Sequence, residues 1–261
     1  MELCIMIQAA TIAGADEITV VLPGCAYERQ DRKKHGREPI TSTLIFDQIK
    51  GAGRVHRFLT LDLHTAMLQG NMADRAADHF YATEPMTAWM RENWLGRNGD
   101  SEFIVVSPDI GGTGRARAYA RELGLDMAII DKWRPKGGTA KPIKLIGSVR
   151  GKTAILVDDM IDTAGTLTEG AKFLIDEGAS GVHASATHAL LSGPAVERLM
   201  SSPIDELVFS DSLAIPAEKA TALGNKLAIV STAPLLAEAI RRQFFGEEVS
   251  DMIGWYNLSD A

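Results

Sequence analysis

The chain has almost no cysteine. Cys4 and Cys25 are the only two among 261 residues, and their spacing matches no metal-binding pattern. That excludes a disulfide framework and a zinc site, and it fits a reducing, cytoplasmic setting. Positive charge is not in excess either: 27 Lys and Arg against 34 Asp and Glu leave a formal charge of −7. Coating nucleic acid or an anionic membrane demands a basic surface, so neither partner is expected. No apolar run approaches the roughly 20 residues that span a bilayer. The opening "MELCIMIQAA" lacks the basic start and small-residue cleavage site of a secretion signal. Low-complexity segments and proline-rich linkers are missing as well.

What is present is a large apolar fraction, 46%, enough for one large core or two small ones. "MELCIMIQAATIAGA" reads as an amphipathic helix with Leu3, Met6, Ile7 and Ala10 at helical spacing. Downstream, apolar strands such as "EITVVLP", "VHRFLTLD", "EFIVVSPD", "DMAIID" and "GVHASATHAL" alternate with helices such as "STLIFDQIKGAG" and "APLLAEAIRRQFF". Near-continuous apolar strands between helices predict mainly parallel sheets flanked by helices, hence an α/β fold. Two domains are expected, 1–83 and 84–227, with 228–261 returning to the first.

In such folds ligands lie beyond the carboxyl ends of the parallel strands. The polar segments there are "PGCAYERQD", "LDLHTAMLQG", "SPDIGGTGRA", "IDKWRPKGG" and "VDDMIDTAGT". In the last, four apolar residues run into Asp158 and Asp159, followed by Asp162, Thr163, Ala164, Gly165 and Thr166. A strand-to-helix turn of this kind favours phosphate through backbone N–H groups and the helix dipole. Adjacent ionised carboxylates suit the two hydroxyls of a ribose. The bland alternative is a capped helix after an acidic strand end.

These residues resemble the phosphoribosyl-pyrophosphate signature of the type I phosphoribosyltransferase fold. "YERQD", "LDLHTAMLQG", "VVSPDIGG", "DKWR" and "THALLSGPA" are similar, in order and spacing, to successive blocks of the ribose-phosphate pyrophosphokinase family, across essentially the whole chain. The resemblance implies two transferase-like domains and transfer of the diphosphoryl group of Mg-ATP to the C1 hydroxyl of ribose 5-phosphate, with release of AMP. It implies that Lys132 and Arg134 are catalytic cations of a flexible loop containing Gly137 and Gly138. It likewise implies that Arg29, Gln30 and His64 bind ATP, that His64 and Asp109 associate with Mg2+, and that Asp158, Asp159, Asp162, Thr163, Ala164, Gly165 and Thr166 hold ribose 5-phosphate. A homo-oligomer, a hexamer built from dimers, is also implied. Taken alone, His64 would read as a structural histidine, since neutral imidazole suits a hard cation poorly. The Arg29 and Lys132 loops would read as solvated basic surface.

Family members carry further residues before the block matching "MELCIMIQAA", including first-sheet strands and a Phe-Ser-x-Gly-Glu segment, so an N-terminally shortened first domain is expected. Lys34 stands where an acidic residue is common, which bears on ATP contact. Ala66 replaces a frequent small hydroxyl residue, which bears on control by phosphate or ADP. "GSVRGKT" fails as a Walker A loop, with three residues between its glycines instead of four, and reads as a hairpin turn. "FSDS" at Phe209 is assigned no role. Two other readings stay open: a single-domain phosphoribosyltransferase, and a catalytically silent regulatory subunit that associates with active synthetase.

Overall fold

The computed structural model describes residues 1–33, 35–96, 102–132 and 143–253, with Lys132 and Ile143 described by their main chain only. The chain divides into two compact units, one formed by 1–81 with 236–253 and the other by 82–235.

The first unit is built on three parallel strands, β1 (Ile18–Leu22), β2 (Val55–Leu61) and β3 (Ala76–Phe80), in that spatial order. Helices α1 (Glu2–Ile12) and α2 (Thr41–Gly51) precede β1 and β2, and a short 3-10 stretch (Ala66–Met72) precedes β3. Ile7, Val20, Phe46, Ile49, Phe58, Leu68 and Met72 form the core, with Phe46 edge-on to Phe58 at 5.9 Å. The apolar stripe of α1 differs from expectation. Leu3, Ile7 and Ala10 turn inward, but Met6 is 67% exposed. The helix is apolar nearly all round, so hydrophobicity alone did not select its buried face; positions three and four apart from Ile7 did.

The second unit holds a seven-stranded sheet. Its strands are β4 (Phe103–Ser107), β5 (Met127–Lys132), β6 (Ile143–Ile146), β7 (Thr153–Ile161), β8 (Gly181–Ala189), β9 (Glu206–Ser210) and β10 (Leu227–Val230). The order is β10-β9-β8-β7-β4-β5-β6, with every pair parallel except antiparallel β5 and β6. Its helices are α3 (Thr83–Met90), α4 (Thr113–Leu123), α5 (Gly165–Asp176), α6 (Ala195–Met200) and α7 (Ala217–Leu223); α8 (Ala233–Phe245) follows β10 and lies mostly in the first unit. All of β4 is buried, as befits a strand covered on both faces. Leu167, Ala171 and Leu174 form the inner face of α5 at helical spacing. Gly170 lets that helix pass close to the sheet, since a Cβ there would stand 3.2 Å from Ile130 Cδ1.

Two local expectations need correction. The "GSVRGKT" turn is not a hairpin, because β6 pairs with β5 while β7 pairs with β4 and β8. Gly147 and Gly151, both at positive φ, carry the chain between strands that are not neighbours. The return to the first unit begins at Leu236, later than 228, because β10 hydrogen-bonds to β9 in the second sheet. From there α8 is tied to the first unit by Gln243, which donates to Asp78 Oδ2 on β3.

Candidate active site

In the first unit the relevant turns follow β1 and β2, adjacent parallel strands. Arg29 and Gln30 are exposed in the turn after β1. The Gln30 carbonyl accepts from the Ser42 N–H at 3.3 Å and the Ser42 hydroxyl at 3.1 Å, so the start of α2 holds this turn. After β2, three successive backbone N–H groups each find a different acceptor. Asp62 donates to the Phe80 carbonyl at 2.9 Å, Leu63 to Nε2 of buried His79 at 2.9 Å, and His64 to Glu28 Oε2 at 2.8 Å. Asp62 itself is buried with φ 42, a left-handed conformation that turns the chain sharply at the strand end. His64 is half-buried and Ala66 is exposed. Nothing is described for Lys34.

In the second unit the strand order places the turns after β7, β4 and β5 side by side. Asp109, exposed after β4, accepts the Gly112 N–H through Oδ1 at 2.9 Å, and its carbonyl accepts the Ser107 hydroxyl at 2.6 Å. That closed turn launches α4. Lys132 ends β5, its main chain paired with Ile143. Arg134, Gly137 and Gly138 lie outside the described residues.

The turn after β7 is the most constrained. Asp158 is partly exposed and Asp159 buried, and the Asp159 N–H donates to Asp158 Oδ1 at 2.9 Å. Arg115 reaches across from α4, its Nη1 3.5 Å from Asp159 Oδ1 and 3.9 Å from Asp158 Oδ1. Burial, and then the Asp159 carboxylate beside it, raise the pKa of Asp158 well above the usual carboxylate range, which Arg115 offsets only in part. The chain continues through half-buried Asp162 and exposed Thr163 to Ala164, at φ 59 and ψ 4. Ala164 stands at the N-cap and has no side chain that could cap α5, whose first residues are Gly165 and Thr166. Arg198 on α6 donates from Nη1 to the Thr163 carbonyl at 2.9 Å, and a Cβ at Gly165 would approach the same atom to 3.3 Å.

Sequence reasoning missed Glu28, Arg115 and Arg198, the side chains that hold these turns. Only Glu28 left a local signal, as one of two acids, with Asp31, among the cations of "YERQDRKK". The "FSDS" segment has a structural part. Ser210 and Ser212, both buried, donate to the Thr187 carbonyl at 2.7 and 2.9 Å.

Two α/β units, one presenting a paired-carboxylate turn at its strand ends, define a protein of the type I phosphoribosyltransferase-like class. The profile of the N-terminal domain of ribose phosphate pyrophosphokinase matches residues 1–53, and that of the phosphoribosyl synthetase-associated domain matches 132–253. A ribose-phosphate pyrophosphokinase of Caldanaerobacter subterraneus subsp. tengcongensis is 46% identical over 252 residues, 97% of this chain and 77% of that one. Its counterpart from Oceanobacillus iheyensis is 46% identical over 250 residues, 96% of this chain and 76% of that one. The crystal structure of phosphoribosylpyrophosphate synthetase from Mycobacterium smegmatis superposes with a TM-score of 0.85 at 39% identity, covering 94% of this chain and 78% of that one. The chain belongs to the ribose-phosphate pyrophosphokinase family, whose members are diphosphotransferases.

Proposed function

We propose that the chain transfers the β,γ-diphosphoryl group of Mg-ATP to the C1 hydroxyl of ribose 5-phosphate, yielding 5-phosphoribosyl 1-diphosphate and AMP. The observation that carries this reading is the β7 turn. Asp158 and Asp159 stand side by side at a strand end, and the chain then bends through left-handed Ala164, which offers no capping side chain, into the start of α5. The paired carboxylates accept from the ribose hydroxyls, and the start of α5 takes the 5-phosphate, where backbone N–H groups and the helix dipole favour an anion. Thr163 and Thr166 add hydroxyl donors, and Gly165 permits close approach of the phosphate.

Arg29 and Gln30 take the nucleotide phosphates from an exposed turn, the guanidinium through two donors at once. Lys132 and Arg134 stabilise the charge that builds on the β-phosphoryl oxygens and the departing AMP. His64 and Asp109 are the residues proposed for Mg2+. The donor set suits a cation that arrives with its nucleotide. Among the described residues no group of three or more His, Cys, Asp or Glu could cage a metal, and Mg2+ prefers one or two carboxylates together with substrate phosphate oxygens and water. When bound, Mg2+ neutralises phosphate charge. By the same family reading the enzyme is a cytoplasmic homo-oligomer; its two cysteines are free thiols, as a reducing compartment requires. Among the described residues no helix is long and apolar enough to cross a membrane.

Coupled detection of AMP from ATP plus ribose 5-phosphate tests the proposal. Release that depends on both substrates supports it. No AMP, with retained binding to an active homologue, would instead make the chain a silent partner subunit.

A further inference from the structure

We propose that Glu28 is a positioning residue that locks the Arg29–Gln30 turn to His64 and thereby sets the geometry of the nucleotide end of the site; this rests on the nucleotide role given to those three residues above. Glu28 is 4% exposed, whereas Arg29 and Gln30 beside it are exposed. A carboxylate is costly to bury unless its oxygens are satisfied. Both are: Oε1 accepts the Cys25 N–H and Oε2 accepts the His64 N–H, each at 2.8 Å, in the range expected of charge-assisted bonds.

The two donors lie beyond the ends of neighbouring strands. The β1–β2 ladder stops at Leu22 and Thr60, so backbone pairing no longer fixes one turn against the other past that point. Glu28 continues the cross-link with a side chain. Tyr27, just before it, stands at φ 62, which a bulky residue adopts only when its surroundings hold it. The bonds from the Cys25 N–H to Glu28 Oε1 and from the Gln30 N–H to the Tyr27 carbonyl, 2.8 and 3.0 Å, close that turn. Asp31 and Thr65 supply a second link between the turns, at 3.2 Å, through partly exposed side chains. Glu28 is therefore the buried member of the pair, and Arg29 follows it directly in the chain.

The geometry requires two acceptors. In Glu28→Gln one oxygen remains, and the amide NH2 turns a donor toward a backbone donor. Glu28→Asp keeps both oxygens but is a methylene too short to reach the two N–H groups together.

The test compares the full wild-type chain with both variants by calorimetric titration of Mg-ATP and of ribose 5-phosphate, hydrogen exchange of the His64 amide, and thermal unfolding. Glu28→Gln is expected to weaken Mg-ATP binding about tenfold and to speed exchange at His64. Ribose 5-phosphate affinity should change less than about twofold, and Tm should fall by no more than about 5 °C, the scale set by one or two lost hydrogen bonds. Unchanged Mg-ATP affinity, or unchanged exchange at His64, overturns the proposal. So does an equal loss of both affinities with a collapsed Tm, which marks general unfolding. If Glu28→Gln fails to fold, Glu28→Asp decides by the same readings. A wild-type chain that binds both substrates but releases no AMP overturns the proposed reaction, and the Glu28 comparison is still settled by binding and exchange.

Discussion

In the proposed role, Asp158 carries a conflict between holding the fold and holding ribose 5-phosphate. Its pKa is raised by burial and by Asp159. A raised carboxylate binds more protons in the native than in the unfolded state, so the native chain loses stability as pH rises from the ordinary value near 4 through the folded one. That window extends to about 8, so at neutral pH most of the penalty is already present. Asp158→Asn should therefore raise the Tm of the unliganded protein at neutral pH by roughly 2 to 4 °C, the shift expected for about 1 kcal/mol. It should also flatten the decline of stability with pH and weaken ribose 5-phosphate binding at least about tenfold, given the strength of hydrogen bonds to charged groups. Melts across pH, paired with calorimetry, check both halves; an unchanged Tm would remove the charge conflict. His183 presents the reverse sign. It is buried and stacked against the rings of Trp94 and Phe103, centroids 4.7 and 6.0 Å away, its Nδ1 has no partner among the described residues, and burial lowers its pKa. The unfolded chain takes up the proton first, so this site costs stability as pH falls below about 6.5. His183→Phe should raise Tm at pH 5 more than at pH 8, as paired melts would show. At this scale the acid pair was legible because a buried strand running into carboxylates is a local pattern. Glu28 and Arg115 were not, because the partners that give them meaning lie 36 and 44 residues away.

Elements set where these groups stand. A non-glycine residue in the left-handed region follows each of three strands: Asp62 after β2, Ala164 after β7 and Leu191 after β8. Such residues cost about 1 to 2 kcal/mol each and concentrate where a chain must present atoms to a ligand. Ala164 allows a calibrated test. Glycine there relieves left-handed strain but loses a buried methyl worth about 0.8 kcal/mol, so Ala164→Gly should lie within about 1 kcal/mol of wild type. Ala164→Val puts a β-branched side chain into the same buried, left-handed position and should cost about 2 kcal/mol or more by denaturant melts. Equal stability of the two variants would contradict the backbone argument. At the end of β5, Lys132→Ala should lower kcat on the order of a hundredfold or more and leave ribose 5-phosphate affinity within about twofold, if its contact is made in the transition state as proposed. Equal losses of both would place Lys132 in ground-state binding. Long strands and helices were legible from apolar periodicity. The short 3-10 stretch, β3, α6 and α7 were not, since five to seven residues carry too little pattern to separate from polar turns.

At the scale of the molecule, the residues proposed for the reaction fall on two sheets. The first unit offers the Arg29–Gln30 and His64 turns, and the second offers the Asp109, Lys132 and Asp158–Thr166 turns, each set gathered at the carboxyl ends of parallel strands. Alternating apolar strands and helices disclosed that arrangement in advance, because a parallel sheet covered on both faces forces its polar residues to the strand ends. The exit of the chain from the second sheet was less legible. Only the pairing of β10 with β9 decides where it falls, and pairing between strands is a long-range property. The proposed reaction transfers two phosphoryl groups as one unit, and 31P NMR of the wild-type chain with Mg-ATP and ribose 5-phosphate reads it directly. A sugar-linked diphosphate growing in step with AMP, one for one and without ADP, is the predicted result. ADP accompanied by a sugar bisphosphate, or no turnover from a folded chain that binds both substrates, would contradict it.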